Sequence, residues 1–324
     1  MDTSELNWSE QIWKDINGDA LKEVGKVRAA QKVFPTSTLE NDPTQIANEV
    51  IDFSSMTVQE GSTKPFVEIF REFSLTSNQV KQEADQKTCR TLARMAAKEI
   101  ALGEDAYFLQ LSDRAPAKRD KPAGTCQVPV LKAATFHIDN WRTDVDFGLL
   151  AEANDPAASD ADPAKPSVPI QVQPVAAAAA AIAAAKKAGA LVPAPSPTWG
   201  ENTFKAVTDG IAKLVAKAQA PAYALFLPTG VYADTFIPPS SASLVTTADR
   251  IKPLVEGGFY SSGVLPADEG LLVALAGEPV KLFVGREVTT EYVRKQGGRY
   301  FFRVVERIQY VVRDARALVL LKFV

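Results

Sequence analysis

The residue types that most often do chemistry are few and scattered in this chain of 324 residues. His137 is the only histidine, and no arrangement of serine, cysteine or aspartate would make it a general base, so we interpret it as structural. Cys89 and Cys126 lack the spacing of a zinc site or a disulfide framework, which predicts two inert thiols. Glu104 and Asp105 are adjacent and cannot share one helix face, so we interpret them as capping charges that open a following helix.

Three further clusters lack an element that ion or phosphate binding requires. The pairs Gly257-Gly258 and Gly297-Gly298 stand outside the Gly-x-Gly-x-x-Gly and Gly-Lys-Ser/Thr patterns, so they predict turns. The acidic residues between 154 and 169 lack the ligand spacing and bidentate Glu of a calcium loop. The basic cluster at 118–121 is too small for a nucleic-acid footprint. The sequence therefore predicts no catalytic, metal-binding or cofactor-binding residue.

Composition is that of an ordinary globular protein, with 46% hydrophobic and 23% charged residues. The length favours one large domain with an insertion, or two domains. A formal charge of -3 predicts at most weak contact with nucleic acid. Residues 1–7 lack the basic and apolar parts of a secretory signal, and no apolar run reaches the roughly 18 residues that cross a bilayer. We therefore expect the protein to lie in the cytoplasm, or in a particle assembled there, and not in a membrane.

The N-terminal segment predicts an amphipathic helix. Trp8, Trp13 and the aliphatic residues that follow recur at helical spacing, with Ser9 as N-cap and an interruption near Asn17-Gly18. Two tryptophans on one short helix favour core packing, and docking onto a neighbouring subunit is the alternative.

The next segments predict an extended excursion and then a long helix. Residues 35–64 are polar and β-rich, with a tip at Gly61-Ser62-Thr63. Phe66–Phe73 alternates apolar and charged residues, which is typical of a half-buried strand. From Thr76 or Ser77 to Leu102 the apolar residues keep helical spacing, and Gly103 follows at the C′ position.

The middle of the chain differs in composition from both ends. Residues 111–200 are rich in proline and alanine, with a predicted loop at 154–169, a short helix over the alanine run 176–185 and strand-like pieces at 128–136 and 138–147. After residue 200 the sequence predicts a helix from Thr203, a strand at 222–227, further short β units, and a closing hairpin around Gly297-Gly298.

Two blocks of sequence together resemble the encapsulin shell proteins. The first is Lys64-Pro-Phe-Val-Glu-Ile-Phe-Arg-Glu-Phe-Ser-Leu75, followed by the long helix and Gly103-Glu-Asp-Ala-Tyr-Phe108. The second runs through Tyr223-Ala-Leu-Phe-Leu-Pro-Thr-Gly-Val-Tyr232, Gly257-Gly-Phe-Tyr-Ser-Ser262, Val280-Lys-Leu-Phe-Val-Gly285 and Tyr300-Phe-Phe-Arg-Val304 to the C-terminal strands. Encapsulins share the Hong Kong ninety-seven type fold of tailed-bacteriophage major capsid proteins.

The resemblance implies an α+β capsid fold with six parts. These are an N-terminal arm (1–35), an extended loop (36–64), a peripheral domain with a spine helix (65–110), an insertion (111–200), an apical domain (201–286) and peripheral-domain strands (287–324). The insertion is the departure from the encapsulin pattern, where only a short connection is expected. It favours a phage capsid over a nanocompartment.

The function implied is structural and not enzymatic: self-assembly into an icosahedral phage capsid that encloses a DNA genome. The alternatives are an encapsulin shell around a cargo enzyme and, more distantly, an enzyme with a lid-like insert. The implied partners are many copies of the chain itself in pentamers and hexamers, scaffold, portal or decoration proteins, and packaged DNA held weakly. We expect a virion assembled in the host bacterial cytoplasm, and an arm whose removal leaves a soluble subunit that cannot close shells. The candidate subunit contacts are Trp8, Trp13, Glu60, Gly61 and Lys64.

Overall fold

A computed structural model of the chain describes residues 6, 8–52, 55–109, 137–140, 148–153, 168–175, 198–238 and 245–324. Several predictions lie outside these residues: the strand at 128–136, most of the strand at 138–147 and of the loop at 154–169, the helix at 176–185, the basic cluster and Cys126. Within the described residues no helix is long and apolar enough to cross a bilayer.

The described residues contain nine α-helices and twelve β-strands. The helices are α1 (Glu10–Val27), α2 (Ala30–Val33), α3 (Ser77–Lys81), α4 (Glu83–Gln86), α5 (Thr88–Leu109), α6 (Leu149–Ala153), α7 (Glu201–Ala216), α8 (Thr229–Asp234) and α9 (Thr247–Ile251). The strands are β1 (Thr36–Thr38), β2 (Gln45–Asp52), β3 (Thr57–Pro65), β4 (Val67–Thr76), β5 (His137–Asp139), β6 (Ile170–Val172), β7 (Tyr223–Pro228), β8 (Gly258–Ser262), β9 (Glu269–Ala274), β10 (Val280–Gln296), β11 (Arg299–Val312) and β12 (Leu318–Phe323).

The chain divides into two compact units. Unit 1 comprises Met1–Phe108, Ala115–Asp146 and Lys281–Val311, and unit 2 comprises Leu109–Arg114, Phe147–Val280 and Val312–Val324. The segment 287–324, predicted as peripheral-domain strands, is therefore divided between the two units. The six predicted domain limits stay predictions.

Unit 1 is built around a sheet of order β1-β10-β11-β4-β5. β11 pairs antiparallel with β4 from Arg299↔Thr76 to Ile308↔Val67, and β1 pairs parallel with β10. Alternation along β11 puts Phe302, Val304 and Ile308 on one face, all of them fully buried. The two glycines between β10 and β11 have φ of +57° and +75°, as a tight hairpin turn requires, which confirms the hairpin predicted at Gly297-Gly298.

Unit 2 has a second sheet, of order β6-β12-β9-β7-β8. Every residue of β7 and β9 is buried. α7 lies against this sheet, and a Cβ added at Gly210 would stand 2.6 Å from the Leu272 side chain. The glycine therefore allows a close helix-to-sheet approach. The helix predicted from Thr203 and the strand predicted at 222–227 are confirmed as α7 and β7.

The N-terminal helix is confirmed, but its predicted break is wrong. The Ser9 side chain accepts a hydrogen bond from the Ile12 N–H, and α1 then continues through Asn17-Gly18 to Val27. The Asn17 side-chain oxygen accepts the N–H of Thr290 at 2.7 Å. This tertiary contact outweighs the low helix propensity of the Asn-Gly pair.

The predicted continuous helix from Ser77 to Leu102 is also wrong. Thr76 caps it as predicted, but the backbone breaks at Lys87, which has φ of +52°. The Glu83 carboxylate accepts the N–H groups of Cys89 and Arg90 at 2.7 and 3.0 Å, which supplies a fresh N-terminal cap for α5. Gly103 does not end that helix, because the buried Tyr107 and Phe108 extend it to Leu109.

Candidate assembly surface

Within unit 1, β2 and β3 form a two-stranded sheet of their own, and its root contacts the rest of the unit. Ile46 is buried against Phe66 and Val311. Gln309 donates a side-chain hydrogen bond to the Pro65 carbonyl at 2.7 Å. Lys64 lies with its Nζ 4.7 Å from the centre of the Tyr310 ring. These contacts fix the direction in which the hairpin leaves the unit.

The far end of the β2–β3 hairpin exposes large apolar side chains. The exposed fraction is 46% for Val50, 57% for Val58 and 82% for Met56. The register pairs Ile51 with Val58 and Val50 with Gln59, so the exposed valines lie on opposite faces of the hairpin. A lone two-stranded hairpin is marginally stable in water. The exposed end therefore has the properties of a segment that is completed by a partner.

Three predicted contact residues lie on this hairpin. Lys64 is at the root, whereas Glu60 pairs opposite Glu49 along the strand. The predicted tip at Gly61-Ser62-Thr63 is wrong, because the turn joins β2 to β3 between Asp52 and Thr57. Gly61 is the extra residue where the register shifts beside Asn48, which makes it a β-bulge. Gly61 therefore lies within a strand and not in a turn.

The two remaining contact candidates, Trp8 and Trp13, lie against their own subunit. Their rings stand 5.3 and 6.3 Å from the ring of Phe302, which also contacts Phe73 and Tyr292. Trp8 donates its indole N–H to the Val80 carbonyl at 2.9 Å. Both tryptophans remain half-buried. An additional role at a subunit interface stays a prediction.

Sequence reasoning missed a buried charged cluster in unit 1. Glu104 and Asp105 do not cap a following helix, because they lie inside α5 and are 0% and 2% exposed. Arg28 and Glu306 join them in the interior. The alternation of β11 was the available signal, since it places Glu306 on the same face as Phe302. Glu104 and Glu306 are closed off from water, so the cluster offers no access to a substrate.

Chains of known structure resemble this one over nearly its whole length. The subunit of a virus-like particle from Pyrococcus furiosus aligns with a TM-score of 0.60 and 14% identity, covering 97% of this chain and 100% of that one. The capsid of Myoviridae phage XM1 aligns with a TM-score of 0.52 and 12% identity, covering 92% of each chain. A Mycobacterium phage Bobi chain gives 0.50 and 15%, covering 92% of this chain and 90% of that one.

The chain has the Hong Kong ninety-seven type capsid fold. The predicted α+β class and the resemblance to the capsid and encapsulin superfamily are thereby confirmed. In sequence, residues 177–309 match the family described as encapsulating protein for peroxidase, which is less than half of the chain. No curated protein matches the sequence.

Within the capsid fold of this chain, chemistry-bearing groups are sparse. Among the described residues no group of three or more His, Cys, Asp or Glu side chains could hold a metal ion. His137 stacks on Phe70 with ring centres 4.9 Å apart, as a structural histidine does. Among the described residues, the exposed end of the β2–β3 hairpin and the buried charged cluster are the candidate functional features.

Proposed function

We propose that copies of this chain assemble into a closed icosahedral protein shell. The capsid fold that spans 97% of the chain carries the proposal. A shell requires each subunit to meet several identical neighbours through heterologous contacts that close on themselves. The chain has a rooted hairpin with apolar side chains at its free end, which suits such a contact.

The β2–β3 hairpin is the contact we assign to a neighbouring copy of the chain. Its strands offer backbone edges for pairing, and Val50, Met56 and Val58 offer apolar area. Burying them against a neighbour removes exposed apolar surface and covers open strand edges, both of which would otherwise promote aggregation. The root contacts at Ile46 and Lys64 fix the orientation of the hairpin before it docks, which lowers the entropic cost of docking.

Purification of the full chain tests the shell directly. We expect rapid sedimentation and closed, hollow particles in negative-stain micrographs. A stable monomer or dimer at every pH, salt and protein concentration tried would overturn the proposal.

A single substitution on the hairpin tests the assigned contact. Val58→Asp puts a charge at the exposed end, where docking would bury it without a partner. We expect folded subunits that no longer form shells, measured by sedimentation and far-ultraviolet circular dichroism.

Val215→Asp is the matched control, because Val215 is 57% exposed like Val58 but lies on α7 of unit 2. The control should still form shells. Shells from Val58→Asp as abundant as those of the unchanged chain would remove the hairpin from the interface. Removing residues 1–35 is a poorer test than the sequence suggested, since it also takes Arg28 away from two buried carboxylates.

Two candidates for the contents follow from different observations. The insertion at 111–200 and the resemblance to phage capsids favour a virion that encloses DNA, with scaffold, portal or decoration proteins as partners. The family match over residues 177–309 favours an encapsulin-type shell around a protein cargo such as a peroxidase. Neither candidate gives the chain a catalytic step.

Analysis of shells from the native host decides between them. Nuclease-protected DNA inside the particles would establish the virion, and a co-purifying protein without DNA would establish the nanocompartment. Mass spectrometry and gel electrophoresis of the disrupted particles read out both.

A further inference from the structure

Four charged side chains meet inside unit 1 where the N-terminal helix ends. Arg28 follows α1, Glu104 and Asp105 lie on α5, and Glu306 lies on β11. Their exposed fractions are 7%, 0%, 2% and 0% in that order. Burying a charged side chain costs free energy unless other groups replace its hydrogen bonds to water. These four side chains are almost completely buried, so their partners within the protein must supply those interactions.

One guanidinium serves two carboxylates in this cluster. Arg28 Nε lies 3.5 Å from Glu104 Oε2, and Arg28 Nη2 lies 3.3 Å from Glu306 Oε1. Within the described part of the chain, both carboxylate oxygens of Glu104 and one of Glu306 accept no hydrogen bond. With both carboxylates ionised the trio carries a net negative charge in the interior. Retaining one proton on the pair removes that unbalanced charge.

Asp105 fixes the joint between α1 and α2. Its carboxylate accepts the Ala29 N–H at 2.9 and 3.0 Å and the Ala30 N–H at 2.9 Å. Burial raises the pKa of Asp105 to about 6, although the two backbone donors and Arg28 oppose the rise. Asp105 therefore takes up a proton in mildly acidic solution while it is enclosed.

Burial raises the pKa of the other carboxyls in the cluster as well, and the neighbouring charges act in both directions. Burial raises the pKa of Glu104 well above its ordinary value, and the neighbouring Glu306 adds to the rise. Burial also raises the pKa of Glu306, with Arg28 opposing and the Glu287 carboxylate on β10 reinforcing. Lys32 on α2 is the further cation near Asp105, and it lowers the pKa of that carboxyl.

We propose that this cluster is a proton-linked latch: when the arm formed by α1 and α2 closes on the rest of unit 1, the enclosed carboxyls take up protons from solution, and raising the pH loosens the arm. Each step moves one proton between water and a carboxylate oxygen. The latch is a property of the subunit and does not depend on whether copies form a shell.

The direction of the pH dependence follows from the closed and open states. A carboxyl whose pKa is higher in the closed arm than in the open arm stabilises the closed arm. This contribution is complete below the ordinary pKa of the group, and it is lost as the pH rises through the pKa that the group has in the closed arm. For Asp105 this window runs from 3.8 to about 6, and for Glu104 it begins at 4.5, because burial and the neighbouring Glu306 raise the pKa of Glu104. Asp19 on α1 behaves oppositely, because its hydrogen bond to Arg90 lowers the pKa of Asp19. The arm is thus held best in mildly acidic solution.

Hydrogen exchange of the full chain, read by mass spectrometry from pH 4 to 8 and corrected for intrinsic exchange, tests the latch. We expect peptides from residues 10–33 to lose protection as pH rises, by up to about tenfold per pH unit for each linked proton. Peptides from α7 of unit 2 serve as the internal reference and should show no such slope.

Glu306→Gln removes one carboxylate and leaves Arg28 with Glu104 alone, so the arm's protection should depend less steeply on pH, with the contribution of Asp105 remaining. Glu72→Gln makes the same change at a surface pair with Arg294 and should keep the original slope. Arm protection in the unchanged chain that does not vary with pH would overturn the proposal, as would an unaltered slope in Glu306→Gln. Should that variant fail to fold, Glu104→Gln makes the same test.

Discussion

The chain contains two hairpins that use their side chains in opposite ways. β10–β11 lies at the centre of the unit 1 sheet, and its inward residue Phe302 contacts four aromatic side chains, those of Trp8, Trp13, Phe73 and Tyr292. β2–β3 is rooted by Ile46 but leaves Val50, Met56 and Val58 exposed. The first hairpin is completed by its own subunit, and the second is the one that we propose a neighbouring copy completes.

The comparison separates subunit stability from assembly. Apolar area buried within the subunit stabilises the folded state, whereas exposed apolar area contributes only when a partner covers it. Changes in β10–β11 should therefore alter the free energy of unfolding of the subunit. Changes at the end of β2–β3 should leave it nearly unchanged and alter association.

The largest effect is expected at the centre of the buried hairpin. Phe302→Ala should lower the free energy of unfolding by about 3–5 kcal/mol, because it removes a fully buried ring and leaves a cavity. Denaturant unfolding of the unassembled full chain measures the loss. Phe301→Ala is the control, since this ring is half-buried on the opposite face, under the Arg294 guanidinium. Equal losses would contradict the packing described for Phe302.

The turn of the buried hairpin should give a smaller effect. Gly298 has φ of +75° with no atom near the position of a Cβ, so Gly298→Val costs backbone strain of about 1–2 kcal/mol and no steric clash. Gly61→Val on the other hairpin is the matched change, because Gly61 is equally open but lacks a left-handed φ. We expect it to be close to neutral in the same unfolding measurement. A cost as large as that of Gly298→Val would show that the bulge needs its glycine.

The smallest effect on the subunit is expected at the exposed end of β2–β3. Val50→Thr keeps the shape of the side chain and should change the free energy of unfolding by less than about 0.5 kcal/mol. The same change should raise the protein concentration needed for assembly, as followed by light scattering. A clear loss of subunit stability would mean that Val50 is covered within the subunit.

Local patterns predicted much of the fold. The β10–β11 turn, the N-cap at Ser9, β4, α7 and β7 follow from short-range signals that the sequence carries on its own. The errors lie where distant residues intervened. Thr290 keeps α1 intact through Asn17, and the cap provided by Glu83 starts α5 anew. The free energy that helix propensity contributes per residue is small, so such tertiary contacts outweigh it.

The exposed hairpin was predicted in part from the sequence, and the buried charged cluster was not. Residues 36–64 were predicted as an extended excursion, but its tip was misplaced because the bulge at Gly61 imitates a turn glycine. The buried cluster was missed, because Glu104 and Asp105 read as ordinary helix-end charges until α5 is seen to continue past them.

By itself, the amino-acid sequence determined the strand and helix periods, the tight turns and the resemblance to capsid proteins, since these depend on neighbours within a few residues along the chain. Only the tertiary structure decided which apolar side chains stay exposed and which carboxylates are enclosed with Arg28. Burial depends on elements separated by hundreds of residues, as Arg28 and Glu306 are. Removing a charge from water shifts its protonation by an amount that no local pattern records.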